Sequence, residues 1–115
     1  MSEVIYHMCP AELWEAAVAA GSYHGTEDDR RDGFIHFSTA AQLRESARRH
    51  RAGQSGLVLV AVEAARLGER LCWEPSRGGA LFPHLYGTLS PDEALEIVSL
   101  PLGPDGEHVF PKLRG

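Results

Sequence analysis

The 115-residue sequence predicts a single α+β domain, on three observations. Helix-forming segments cluster in the first half, in the order strand, helix, strand, helix. The second half is rich in β-branched and aromatic runs with turn-length connections, which suit antiparallel strands better than the long crossovers of a doubly wound parallel sheet. The glycines punctuate these runs as turn residues, and neither a GxGxxG after a strand nor a GxxxxGK[ST] signals a nucleotide loop.

Each element has its own justification. Val4 to His7 is a short apolar strand, and Pro10 suits the first turn of a helix over Ala11 to Ala20 that ends at Gly21. In that helix Leu13, Ala16, Ala17 and Ala20 share a face with Trp14 beside them, while Glu12 and Glu15 face water. "SYHGTEDDRRD", Ser22 to Asp32, reads as a polar loop. Phe34 to Phe37 is a second strand. Thr39 with Gln42 three residues later forms a capping box for a helix from about Ala40 to Ala52, closed by Gly53. "GLVLVAVE", Gly56 to Glu63, is apolar almost throughout, as expected of a central strand covered on both faces. Arg70 to Glu74 is a further strand and "PSRGGAL" a flexible loop. "FPHLYG" starts extended because Pro83 disfavours helix at Phe82. "ALEIVSLPL", "GPDG" and "EHVF" predict a C-terminal hairpin.

Composition narrows the function classes. One domain spanning residues 1–115 buries roughly two-thirds of its unfolded surface and needs no staple. The hydrophobic fraction of 43% and charged fraction of 23% are those of an ordinary globular protein. Eleven basic against sixteen acidic residues, a formal charge of −5, argue against a general electrostatic grip on nucleic acid or anionic membrane. The run "RESARRHR", Arg44 to Arg51, reads most simply as the solvated face of the second helix, with phosphate binding as the weaker alternative. Cys9 and Cys72 form no CxxC pair, and reduced thiols in the cytoplasm are expected. "MSEVIYHMCP" lacks the basic and apolar regions of a signal peptide, and no later run approaches a spanning length.

Three histidines interrupt apolar strands. By alternation, His36 shares a face with Phe34 and Ser38, leaving Ile35 and Phe37 for the core. His7 lies with Ile5 and opposite Tyr6, and His84 lies with Phe82 and Tyr86. Glu74 shares a face with Cys72 and is opposite Trp73. This pattern suits a ligand cleft. Each residue also has a structural reading: strand histidines bonded to backbone carbonyls, Ser38 sharing a cap with Thr39, Trp73 and Phe82 in the core, Glu74 as an exposed strand end. No G-x-S-x-G elbow surrounds Ser38, so a serine hydrolase is not the lead. A metal site built from His36, His84 and Glu74 is an alternative, but no HxH, HxxxH or HExxH spacing supports it and no metal is expected.

The motifs "IYHM", "DGFIHFST", the "WE" of "RLCWEPSRGG" and "FPHLYGTL", in this order over nearly the whole chain, resemble the bacterial family called Domain of Unknown Function 952. That family in turn resembles the ADP-ribosyltransferase superfamily of bacterial toxins, poly-ADP-ribose polymerases and RNA 2′-phosphotransferases. The resemblance implies an ADP-ribosylation-like fold: two bent, mostly antiparallel sheets, with two early helices flanking a cleft. It implies a small nucleotide-like ligand such as NAD or ADP-ribose, and ADP-ribosyl transfer, phospho-ribosyl transfer or glycohydrolysis. It puts His7 against the ribose near nicotinamide, and Ser38 and Thr39 at the strand end beside the nicotinamide pocket. Glu74 becomes the carboxylate that orients the ribose and stabilises the developing cation, although it comes earlier in the chain than the superfamily's glutamate. Phe34, Tyr86 or Trp73 would stack on nicotinamide, His36 or His84 would serve as acid, base or pyrophosphate ligand, and His36 departs from the superfamily pattern. His84 and Tyr86 belong to the site by the family's own pattern. The reading from another class keeps the cleft as a binding or regulatory module without turnover.

Overall fold

The computed structural model describes residues 3–114. Strand β1 (Val4–Pro10) runs straight into helix α1 (Ala11–Ala20), with Pro10 as the residue before the helix and Gly21 closing it in the left-handed conformation. Trp14 and Ala17 are the buried residues of α1, Leu13 is half-buried, and Ala16 and Ala20 are exposed. The apolar stripe is therefore narrower than predicted and centred on the indole, which contributes more burial than an alanine row can.

The expected polar loop contains a helix, α2 (Glu27–Asp32). Thr26 accepts from the Asp29 N–H and the Asp29 carboxylate accepts from the Thr26 N–H, so a capping box starts it, and Gly33 at φ 89° stops it. Gly25 matters to the same turn, because a Cβ there would sit 2.6 Å from that of Asp29. The single strand predicted over Phe34 to Phe37 is two short ones, β2 (Ile35–His36) and β3 (Ser38–Thr39), lying in different sheets. The break falls at Phe37, whose N–H donates to the Pro83 carbonyl. Thr39 and Gln42 form the predicted capping box of α3, which spans Ala40–His50 and ends two residues earlier than expected, with Arg51 as its cap residue.

Strand β4 (Leu57–Glu63) continues into a short helix α4 (Ala64–Leu67), followed by β5 (Leu71–Pro75), β6 (Leu81–Leu85) and β7 (Ala94–Leu100). A tight turn, in which the Ser76 N–H donates to the Ala80 carbonyl, joins β5 to β6. The predicted C-terminal hairpin shrinks to one bridge, Leu102 with His108, because β7 pairs along β4 instead. The strands form a four-stranded sheet in the order β3-β1-β4-β7 and a three-stranded sheet in the order β2-β6-β5, every pairing antiparallel. The domain is thus α+β with two antiparallel sheets.

As its apolar run predicts, β4 is interior and covered on both faces. On one side Val60 and Val62 pack with Ile5, Trp14, Tyr23 and Leu85, which brings the second sheet onto the first. On the other, Leu59 and Ala61 pack with Tyr6, Met8 and Leu43 beneath α3. No helix among the described residues is long and apolar enough to cross a membrane.

Candidate functional site

The antiparallel register turns separate motifs into one surface. His36 pairs with His84, His84 pairs with Cys72, and Phe82 pairs with Glu74, and side chains at paired positions point to the same face of a sheet. Ile35, paired with Leu85, faces the core with Phe37, as alternation predicts. A cavity of about 150 Å³ lies where this face meets β1 and β3, and α2 and α3 close it; α1 has no part in it. His7, His36, Ser38, Phe82 and His84 line it, joined by Asp29 and Arg51.

His7 is 2% exposed. Its Nδ1 is 2.7 Å from the His36 carbonyl, which can only accept, so Nδ1 carries the proton and Nε2 accepts from the Tyr23 hydroxyl at 2.5 Å. Burial pushes its pKa down against the pull of Asp29, which favours the same neutral tautomer. With both nitrogens given to the protein, His7 bridges β1, β2 and the Tyr23 segment and has no ring nitrogen left for a ligand. Burial likewise raises the Tyr23 phenol, with the adjacent Cys9 adding to the shift, and lifts the Cys9 thiol to about 11.

Asp29 is buried on α2 and organises the next pair. Its Oδ1 accepts from Nδ1 of His36 at 2.5 Å and from the His36 N–H at 3.0 Å, and its Oδ2 accepts from the Thr26 N–H at 2.8 Å. Burial alone would raise its pKa, but the His36 side chain, the charge interaction with His7 and these N–H donors outweigh it and hold the carboxyl at about 2. The other nitrogen of His36 is 3.2 Å from Asp32, one turn along α2. His36 is thereby clamped between two carboxylates.

The second pair comes from the three-stranded sheet. Glu74 Oε1 accepts from Nδ1 of His84 and from the Tyr86 hydroxyl, each at 2.8 Å. These two bonds, His84 first, lower the Glu74 pKa, and the bond to Glu74 raises that of Tyr86. His84 then presents Nε2, which has no hydrogen-bond partner among the described residues. Phe34 stacks on His84 with centroids 4.0 Å apart and planes 22° apart, and is tilted against His36 at 4.5 Å. The His36 and His84 rings are 5.5 Å apart, nearly edge to face.

The predicted residues therefore divide. His7, His36, Ser38 and His84 line the cavity, and Ser38 donates to Ser46 there. Glu74 and Tyr86 stand behind His84 and act on the cavity through it, and Phe34 packs on the histidines rather than lining the space. Two predicted residues lie outside the cavity and its supporting bonds. Thr39 Oγ1 accepts the Gln42 N–H as the helix cap, and Thr39 does not line the cavity. Trp73 alternates to the opposite face of β5, is 39% exposed and also lies away from it. Tyr23, Asp29 and Asp32 escaped the sequence reading, for which the capping spacing of Thr26 and Asp29 was the available signal; Arg51 ends the basic run that was read first as a solvated helix face. Among the described residues no group of three or more His, Cys, Asp or Glu side chains is arranged to hold a metal ion.

Comparison with known proteins places this geometry in context. A family model described as "Protein of unknown function (DUF952)" matches residues 8–97. The crystal structure of protein CC0527 from Caulobacter crescentus is 46% identical, with 92% of this chain and 93% of that chain covered and a TM-score of 0.89. The solution NMR structure of CC0527 is 47% identical over 90% of each chain, with a TM-score of 0.82. No curated protein matches.

Proposed function

Because the chain belongs to this family of unknown function, its activity has to be argued from the cavity, and we propose that it binds a small nucleotide-like ligand of the NAD or ADP-ribose class there, on a fold related to the ADP-ribosyltransferases. One observation carries the reading: two histidines from different strands, each held by a carboxylate at Nδ1, border one cavity with aromatic rings beside them. Most drug-sized ligand sites enclose roughly 300–1,000 Å³. A cavity of about 150 Å³ suits a single ring, so a ribose or a nicotinamide enters and the rest of the ligand stays at the mouth.

The chemistry this arrangement fits is cleavage of a bond at the ribose. Nicotinamide leaves NAD as a neutral base, so the protein has to favour the developing ribosyl cation and accept a proton from the attacking hydroxyl. The bond to Glu74 keeps a proton on Nδ1 of His84 and leaves Nε2 as the atom that takes up the hydroxyl's proton. Glu74 contributes through His84 rather than at the ribose. His36 borders the ligand beside His84.

A specific observation also favours binding without turnover: both nitrogens of His36 face carboxylates, and Glu74 Oε1 already accepts two hydrogen bonds. One pair of measurements separates the readings. NAD, ADP-ribose and nicotinamide at millimolar concentration should move the ring signals of His36 and His84, and NAD should release nicotinamide at a rate that Glu74→Gln lowers by roughly 100-fold, as for loss of an oriented base. Ring shifts without release leave a binding module, and absence of any shift overturns the proposal.

A further inference from the structure

Arg51 ends α3, where the sequence suggests a solvated basic run, yet its side chain is only 16% exposed and borders the same cavity as His36 and His84. Its guanidinium is under-used. Nη1 donates to the His50 carbonyl at 3.2 Å and lies 3.7 Å from Asp28, a distance too long for a good hydrogen bond. Nε and Nη2 have no hydrogen-bond partner among the described residues. A guanidinium only 16% exposed whose fork no described residue fills is poorly compensated, and its planar donors match the oxygens of a phosphate.

The carboxylates nearby are engaged elsewhere, which leaves Arg51 as the group with donors to spare. Asp29 accepts from Thr26 and His36, Asp32 faces His36 and Arg31, and Asp28 is shared with the exposed Arg31. Ser76, in the turn between β5 and β6, also lines the cavity. Resting on the nucleotide reading above, we infer that Arg51 is the anion subsite of the cavity and selects ligands in which the bound ribose carries a phosphate. The ring then sits in the cavity against the edges of His36 and His84, and the phosphate oxygens take up the edge of the guanidinium.

The test titrates ribose, ribose 5-phosphate and inorganic phosphate into the intact protein, following histidine rings and the Arg51 Nε signal by NMR, with Arg51→Gln and Arg51→Lys beside the wild type. Ribose 5-phosphate should bind roughly 10- to 100-fold more tightly than ribose, the range for a hydrogen bond to a charged group. Arg51→Gln should remove that preference and keep ribose binding, while Arg51→Lys, a point charge without the fork, keeps part of it. Unchanged thermal unfolding of both variants excludes a folding effect. Equal binding of the two sugars, or an equal loss of both in Arg51→Gln, overturns the subsite alone. If phosphate moves the Arg51 signal while neither sugar moves His36 or His84, the anion subsite stands and the nucleotide reading falls. If nothing moves, both fall.

Discussion

Replacing Asp29 with asparagine removes the one anion that holds α2, the His36 backbone and the His36 ring together. In the folded protein the carboxyl titrates at about 2, against an ordinary value of 3.8. At about 1.4 kcal/mol per pH unit, that depression makes the ionised side chain worth about 2 kcal/mol to the fold at neutral pH. The sign follows from the direction of the shift. A depressed carboxylate contributes fully above its unfolded pKa and loses the contribution as pH falls, leaving less than about 0.5 kcal/mol at pH 2. Asparagine adds a second penalty, since its NH₂ has to face either the Thr26 N–H or the His36 donors, and an unsatisfied buried donor costs about 1–3 kcal/mol. The two effects overlap, so Asp29→Asn is expected to destabilise by about 2–4 kcal/mol at pH 7. Urea unfolding of both proteins from pH 7 to pH 2 measures it, and the gap between them should narrow by about 2 kcal/mol over that range. A gap below about 1 kcal/mol at pH 7, or one that does not change with pH, refutes Asp29 as the buried organiser.

Three further outcomes follow from the same networks. His7 is held neutral by burial, so the unfolded chain takes up a proton below pH 6.5 that the fold resists, and stability should fall by up to about 1.4 kcal/mol per pH unit below that point; His7→Gln should lose this component, and the difference between the two curves isolates it. Glu74→Gln should lower the Tyr86 phenol towards its ordinary value, and an absorbance titration near 295 nm that shows no change would remove the Glu74–Tyr86 bond from the description. Cys9 is buried with its thiol raised to about 11 and Cys72 is half-buried, so under native conditions a thiol reagent should modify Cys72 first, and Cys9 only on unfolding; equal rates would contradict the burial of Cys9.

Local pattern determined a great deal here by itself. The helix after Pro10, the capping box at Thr39 and Gln42, the doubly covered strand through Val60 and the inward faces of Ile35 and Phe37 all depend on interactions within a few residues or on a strict period of two. The α+β class and the facing of His36 and His84 follow from the same periodicities. What the tertiary structure decided is everything that needed long-range pairing. Phe37 reads as strand interior because its side chain is apolar, yet the chain changes sheets there once its N–H finds the Pro83 carbonyl. The TEDDRRD segment reads as loop because it has no apolar stripe; its helix is held by a capping box and by what Asp29 does for a strand beyond it. The division of labour among the histidines was likewise beyond local pattern. All three interrupt apolar strands, but only the packing of Tyr23 and the His36 carbonyl against His7 makes that ring a bridge, while Glu74 takes Nδ1 of His84 and leaves its Nε2 without a hydrogen-bond partner among the described residues. Hydrogen-bond partners, not strand position, separate a structural imidazole from an available one, and those partners come from segments far apart in the chain.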